Sequence, residues 1–592
     1  MPLNQYRQNW DLEVIFPGGS RSIALEEHLK NLENGMSILE NNKATCLSTI
    51  DTAPEILAKM IESLTDIKPG ISQASSFAAC LIAQNPKDHG ALDVQGKIAA
   101  VNSRYESILQ KVQLRMAKIP QVVWDRLMSS EKLKIHHFLL NEWRNQAGNL
   151  LGDRVEQVAA ALSPDGYLAW GQFYQQLSSG MKITIGKKDY SVGQAINFRA
   201  HPDESVRKEA HEALEAACRK KEDLFAKTIN HLAGFRLQLN KMQGINSTLD
   251  PALLDNRLSP ATLEAMWFAV SRSKPAFTAY LNEKARLLGS GKLDAFNFWA
   301  PLGSTESIFS YDEAADFILK HFGRFGPEME SFARNAFQEG WIEAEDRPGK
   351  AGHAFCAGFP QSGESRIFLT FGGRMPNMLA LAHELGHAFH NHAMRPVHPL
   401  HRYYPLCIAE TASTFSELLI IDGALDKAAD AKEKLFLLDE KLKRSVMNFM
   451  NIHSRFLFEK RFYEERADGF VPAPRLNNLM ADAIEEAYQG SLASPSVRSW
   501  IWTPHYYLTK SPYYNFPYTF GYLFSISLYG IWKERGKSFE LDYMNLLRDS
   551  GRMDVEDLVK KHTGEDITSE QFWEKGLRLC VKDVADFLKL SK

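Results

Sequence analysis

Residues 380–390 read Ala-Leu-Ala-His-Glu-Leu-Gly-His-Ala-Phe-His. His383 and His387 are four positions apart, so on a helix they share one face, with Glu384 beside the first. Two neutral imidazoles suit zinc, and a third protein ligand plus water would complete a catalytic site. A glutamate next to the first histidine is the usual general base toward that water. Ala380, Leu381, Ala382, Leu385, Ala388 and Phe389 make the surrounding helix strongly apolar. Ionisable groups in such a setting are paired or bound to metal. The plain alternative is an amphipathic helix with two surface histidines.

Working outward, the third ligand separates the possibilities. A metzincin has Gly at position 390 and His at 393; this chain has His390 and Ala393, which excludes that reading. The apolar segment Cys407–Ile420 carries two acids, Glu410 and Glu417, seven apart and so on similar helical faces. Between His387 and Glu410 the helix can end, a loop with Pro396, Pro399 and Pro405 can turn, and an antiparallel helix can return. Glu410 is the expected ligand and Glu417 a neighbouring acid or plain helix surface. His390 is the rival ligand, on the same face as His387, with a cleft-wall or surface position as its plainer reading.

The pattern of His383-Glu384-x-x-His387 followed by Glu410-x-x-Ser413-x-x-x-Glu417 resembles the M3 peptidases, the thimet oligopeptidase and oligoendopeptidase F group. Phe355–Pro360 and Ser365–Phe371 are similar to the strands before the metal helix of oligoendopeptidases. Tyr513–Tyr522 is similar to their tyrosine-rich substrate loop. Ser163-Pro-Asp-Gly-Tyr167, Tyr543–Leu547 and Phe572–Gly576 fit the same group. The resemblance is strongest to the oligoendopeptidase F branch. It implies a mainly α, two-lobed helical metallopeptidase, one zinc ion in a deep channel, and a small β-sheet next to the metal helix. It also implies endopeptidase action on short unstructured oligopeptides. In that group a histidine and tyrosines after the zinc site stabilise the oxyanion. Here His505, Tyr514, Tyr518 and Tyr522 are the counterparts, Tyr522 being the position most readily carried over. Core packing is the plainer role for Tyr513, Tyr514 and Tyr518. Two alternatives stand beside this reading: a zinc carboxypeptidase or dipeptidyl carboxypeptidase, and an inactive helical peptide-binding protein.

The rest of the chain is consistent with these expectations. Its 592 residues are 44% hydrophobic, ample for a large core. A formal charge of −3 gives no electrostatic reason to expect nucleic acid or a membrane surface as partner. The N-terminal stretch Met1–Trp10 lacks a basic-then-apolar secretory pattern, and no run of apolar residues is long enough to span a bilayer. Cysteines 46, 80, 218, 356, 407 and 580 are scattered, which reads as free thiols in a reducing, cytoplasmic setting. Cys356 or Cys407 as a nucleophile lacks a partnered His-Asn pattern.

Helical periodicity dominates, with a hairpin predicted at Met181–Val192. That hairpin is the expected boundary between an N-terminal helical region, 1–195, and a catalytic region, 196–592. The β-branched and aromatic run Arg366–Phe371 predicts a strand leading through Gly372-Gly373 and Pro376 into the metal helix. A free edge on that strand would pair with an extended substrate, as the resemblance favours; an internal strand would not. His353 is a further residue placed near the cleft by sequence.

Overall fold

The computed structural model describes residues 5–148, 151, 153–303 and 308–592. The first four residues of the N-terminal stretch, and the side chain of Cys46, lie outside that set. The fold is mainly α-helical with two small sheets. Among the described residues, no helix is long and apolar enough to cross a membrane.

Two apolar cores organise the molecule. The smaller is built mainly from residues between Trp10 and Trp143, with Ala357, Phe359, Phe368 and Leu400 added, and centres on three long helices, Ile23–Thr49, Pro54–Gln84 and His89–Ala117. The larger runs from Tyr174 to Phe587 and takes in Tyr6 near the N-terminus. The predicted hairpin forms, with β1 (Ile183–Ile185) antiparallel to β2 (Lys188–Tyr190), and Ile183 and Ile185 are buried in the larger core.

A three-stranded sheet lies between the cores. β3 (Ile342–Glu343), β4 (Phe355–Phe359) and β5 (Glu364–Phe368) are ordered β3-β5-β4, with β3 parallel and β4 antiparallel to β5. Phe368 belongs to the smaller core while Ile367 and Leu369 belong to the larger, the alternation that a strand buried on both faces requires. This corrects one expectation: β5, the strand read from Arg366–Phe371, is internal, with a neighbour on each side. The outer position on one side belongs to β4.

β5 leads through Gly373 into the signature helix, Met375–Met394. Gly373 has φ +74°, and a Cβ there would stand 2.9 Å from the Phe309 carbonyl oxygen, so the entry turn needs glycine. Proline in the first turn has no N–H to leave unpaired, and Asn377 Oδ1 accepts from the Arg374 backbone N–H at 3.1 Å. Leu381, Ala382, Leu385, Ala388 and Phe389 are all fully buried. Burying each Leu or Phe stabilises by about 1.5–3 kcal/mol, which fixes the helix and therefore the direction of its two histidines.

Candidate active site

The connection after the signature helix contains the three prolines and a short 3-10 turn, Pro399–His401. A four-residue helix, Leu406–Ala409, follows, and Glu410 joins it to the glutamate helix, Thr411–Lys427. Glu410 itself has φ −87° and ψ 4°, outside helical geometry, so the apolar segment read as one helix is broken at its proposed ligand. Ser413 Oγ donates to Glu410 Oε2 at 2.8 Å and holds the carboxylate.

The Nε2 atoms of His383 and His387 lie 3.3 and 3.5 Å from Glu410 Oε2. One ligand atom from each of the three residues falls within 4.8 Å of the others. Glu417, two turns beyond Glu410, meets the other nitrogen of the same ring: its Oε1 is 2.6 Å from His383 Nδ1. Arg444 in turn pairs with Glu417. A carboxylate on Nδ1 fixes the ring and leaves Nε2 for a metal. Burial pulls the His387 imidazole below its usual range, which keeps it in the neutral, ligating form. Glu384 is 6% exposed. Burial pushes its carboxyl up to about 7, with His383 opposing the rise and Glu410 adding to it; a dication alongside would draw it down again.

Close helix contact makes this convergence possible. Gly386 sits between the two histidines, and a Cβ there would meet the Ala412 carbonyl oxygen at 2.4 Å and Ser413 Cα at 2.6 Å. The signature and glutamate helices therefore touch backbone to backbone. Gly521, on the tyrosine helix Phe516–Arg535, plays the same part: its Cβ would lie 3.0 Å from the Cys407 carbonyl oxygen and 3.4 Å from Glu410 Cβ.

Tyr518 is three residues before Gly521 and so on nearly the same face. Burial raises its hydroxyl pKa, and the Tyr514 hydroxyl and the Glu410 carboxylate add to the rise. Tyr518 donates to Tyr514 at 3.3 Å, and the His505 ring stacks over Tyr518 with centroids 6.3 Å apart. His505 Nδ1 bonds Asn515 Oδ1 at 2.7 Å. An amide oxygen only accepts, so Nδ1 carries the proton, and Nε2 is bare in the neutral ring. The Tyr522 hydroxyl is bonded to Ser445 Oγ at 3.0 Å and buried behind this cluster.

Peptidase family M3 matches residues 327–579 and Oligopeptidase F matches residues 116–183, together more than half of the chain. The chain belongs to peptidase family M3. An oligoendopeptidase F homolog of Lactococcus lactis is 22% identical over 533 residues, 87% of this chain and 86% of its own. Group B oligopeptidase PepB of Streptococcus agalactiae is 22% identical over 587 residues, 97% of this chain and 95% of its own. The crystal structure of oligoendopeptidase-F from Enterococcus faecium superposes with a TM-score of 0.70, at 16% identity, covering 96% of this chain and 98% of that one.

This M3 peptidase is a metallo-endopeptidase, and its family implies oligopeptide substrates. Several residues weighed in the sequence lie elsewhere. His390 is fully buried, bonded to Ser550 Oγ at 3.0 Å and stacked on Tyr404, and it stands outside the ligand cluster. Cys407 is fully buried, its thiol directed at the Asn256 carbonyl oxygen, and burial raises its pKa well above the usual value. Burial likewise raises Cys356, so neither supplies a thiolate. His353 is exposed against Phe355. Three contributors escaped the sequence reading: Arg444 behind Glu417, Asn515 behind His505 and Ser445 on Tyr522. Each is an ordinary polar residue in a helical stretch or loop, and no spacing marks it.

Proposed function

We propose that this M3 peptidase holds one zinc ion with His383, His387 and Glu410, and hydrolyses internal bonds of short unstructured peptides with Glu384 as general base. The observation that carries this reading is the meeting of three ligand atoms within 4.8 Å, with Glu417 on the outer nitrogen of His383. Two imidazoles and one carboxylate are a donor set that fits a hydrolytic zinc site with one open position.

When bound, the ion would supply the Lewis acidity that makes water a nucleophile at neutral pH and polarises a peptide carbonyl. Glu384, beside the site, takes the proton of the attacking water and passes it to the leaving amine. The Tyr514 hydroxyl, which accepts from Tyr518 and keeps its own proton, donates to the developing oxyanion, and Tyr518 joins it by exchanging its bond to Tyr514 for one to the oxyanion. His505, tethered by Asn515, positions that pair and would donate through Nε2 only as the imidazolium. Tyr522, held by Ser445, supports the tyrosine helix from behind. The substrate backbone pairs with the outer edge of β4 rather than with β5. The Gly358 carbonyl already accepts from Ser76 Oγ at 2.7 Å, so the open stretch is the Phe355–Ala357 end.

An internally quenched peptide blocked at both ends tests the proposal. Internal cleavage abolished by a chelator and restored by zinc is the expected result. Trimming of the free-ended peptide alone, with the blocked one untouched, would overturn it.

A further inference from the structure

A second group of histidines lies apart from the catalytic cluster. His136 closes the short 3-10 turn Lys134–His136 in the N-terminal region; His398 and His401 lie in the connection that leads from the signature helix to Glu410. His136 Nδ1 and His401 Nε2 are 2.9 Å apart, and their rings stack with centroids 5.0 Å apart. His398 meets both rings edge-on, at 4.8 and 5.4 Å. One nitrogen from each of the three lies within 4.8 Å of the others.

His136 and His401 are buried, and the Nδ1 atoms of His398 and His401 are buried with no hydrogen-bond partner among the described residues. A buried imidazole nitrogen without a partner loses hydration and regains nothing; His398 and His401 each carry one, and with His136 the three rings turned on one another read as a ligand set. A tetrahedral ion holds adjacent nitrogens about 3.3 Å apart; the His136–His401 pair, at 2.9 Å, would open by a few tenths of an ångström to admit one, and the third nitrogen would close in from within 4.8 Å.

We propose that His136, His398 and His401 form a second metal site that takes one divalent transition ion of the zinc class. Three imidazoles select such ions over calcium or magnesium, which need oxygen donors. The cations that face the site are Arg257, Arg552 and Arg402. Arg257 is held by both Glu142 oxygens at 2.6 and 2.9 Å, Arg552 pairs with Asp549, and Arg402 donates to the carbonyls of Val397, Pro360 and Arg395. The first two are thus neutralised locally, and the third is directed at backbone. Leu400, between the two loop histidines, is already buried in the smaller core. A bound ion would fasten the connection that delivers Glu410 to the N-terminal region.

The full chain, stripped with a chelator and dialysed against zinc chloride, gives the test by elemental analysis. Wild type should hold two equivalents. The pair His398→Ala/His401→Ala should hold one and still cleave peptide. The pair His383→Ala/His387→Ala, inactive, should also hold one and melt at a higher temperature with zinc than without. The last measurement stands by itself if the loop variant fails to fold. One equivalent in wild type and none in the folded His383→Ala/His387→Ala protein would overturn the site, as would two equivalents retained by the loop variant.

Discussion

His383 shows how a single ring can be presented to a metal: Glu410, at the start of the glutamate helix, lies near Nε2, and Glu417, two turns along, binds Nδ1. Two predictions belong at this scale. Glu384→Gln removes only a base, so zinc content and helicity should be unchanged while kcat falls by about 10²–10⁴-fold; steady-state rates equal to wild type would remove Glu384 from that role. Glu417→Ala leaves all three ligands in place but frees the His383 ring. Zinc affinity, measured by competition with a chelator, should weaken by about 10–100-fold. An unchanged affinity would mean that packing alone orients the ring. The sequence identified both acids and their shared face. It did not reveal that one serves each nitrogen, because that depends on where the second helix lies across the first.

At the scale of elements, backbone contact between the signature and glutamate helices is set by Gly386. Gly386→Ala must push Ala412 and Ser413 away, and overpacking of this kind costs about 1–3 kcal/mol. Both Tm and zinc affinity should fall together, since the same displacement moves Glu410. A variant with full affinity and only a lowered Tm would separate helix packing from ligand placement. The strand run at 366–371 was legible from its β-branched and aromatic residues. Its internal position was not: β3 is two residues long, too short to leave a periodic signal, and it pairs in parallel from 25 residues upstream. The helix break at Glu410 was equally silent, because no proline or glycine in the segment 407–420 marks it.

For the molecule as a whole, Asp549 ties the end of one C-terminal helix to the last turn of the next. Burial alone would raise its carboxyl, but hydrogen bonds from His562, Lys561 and Arg552 outweigh burial and hold it well below the usual carboxylate range. A carboxyl depressed in the folded state stabilises fully above its unfolded value, about 3.9, and that contribution is lost as pH falls through the folded value. Asp549→Asn should therefore lower Tm at pH 6–7, with the gap from wild type closing below about pH 4. A gap that stays constant down to pH 3 would show that shape, not charge, joins these helices.

The sequence by itself determined the residues at the centre: two histidines one helical turn apart, a glutamate beside them, a second acidic helix within loop reach, and a mainly helical body. These are local facts, carried by spacing along one helix and by apolar periodicity. Only the tertiary structure decided that β4 lies at one edge of the sheet and β5 inside it, which tyrosine hydroxyls are already engaged, and that His136 meets His401 across 265 positions of chain. Such relations follow from how buried surfaces meet at two glycine contacts and between two cores, and no periodicity in a single stretch of sequence encodes them.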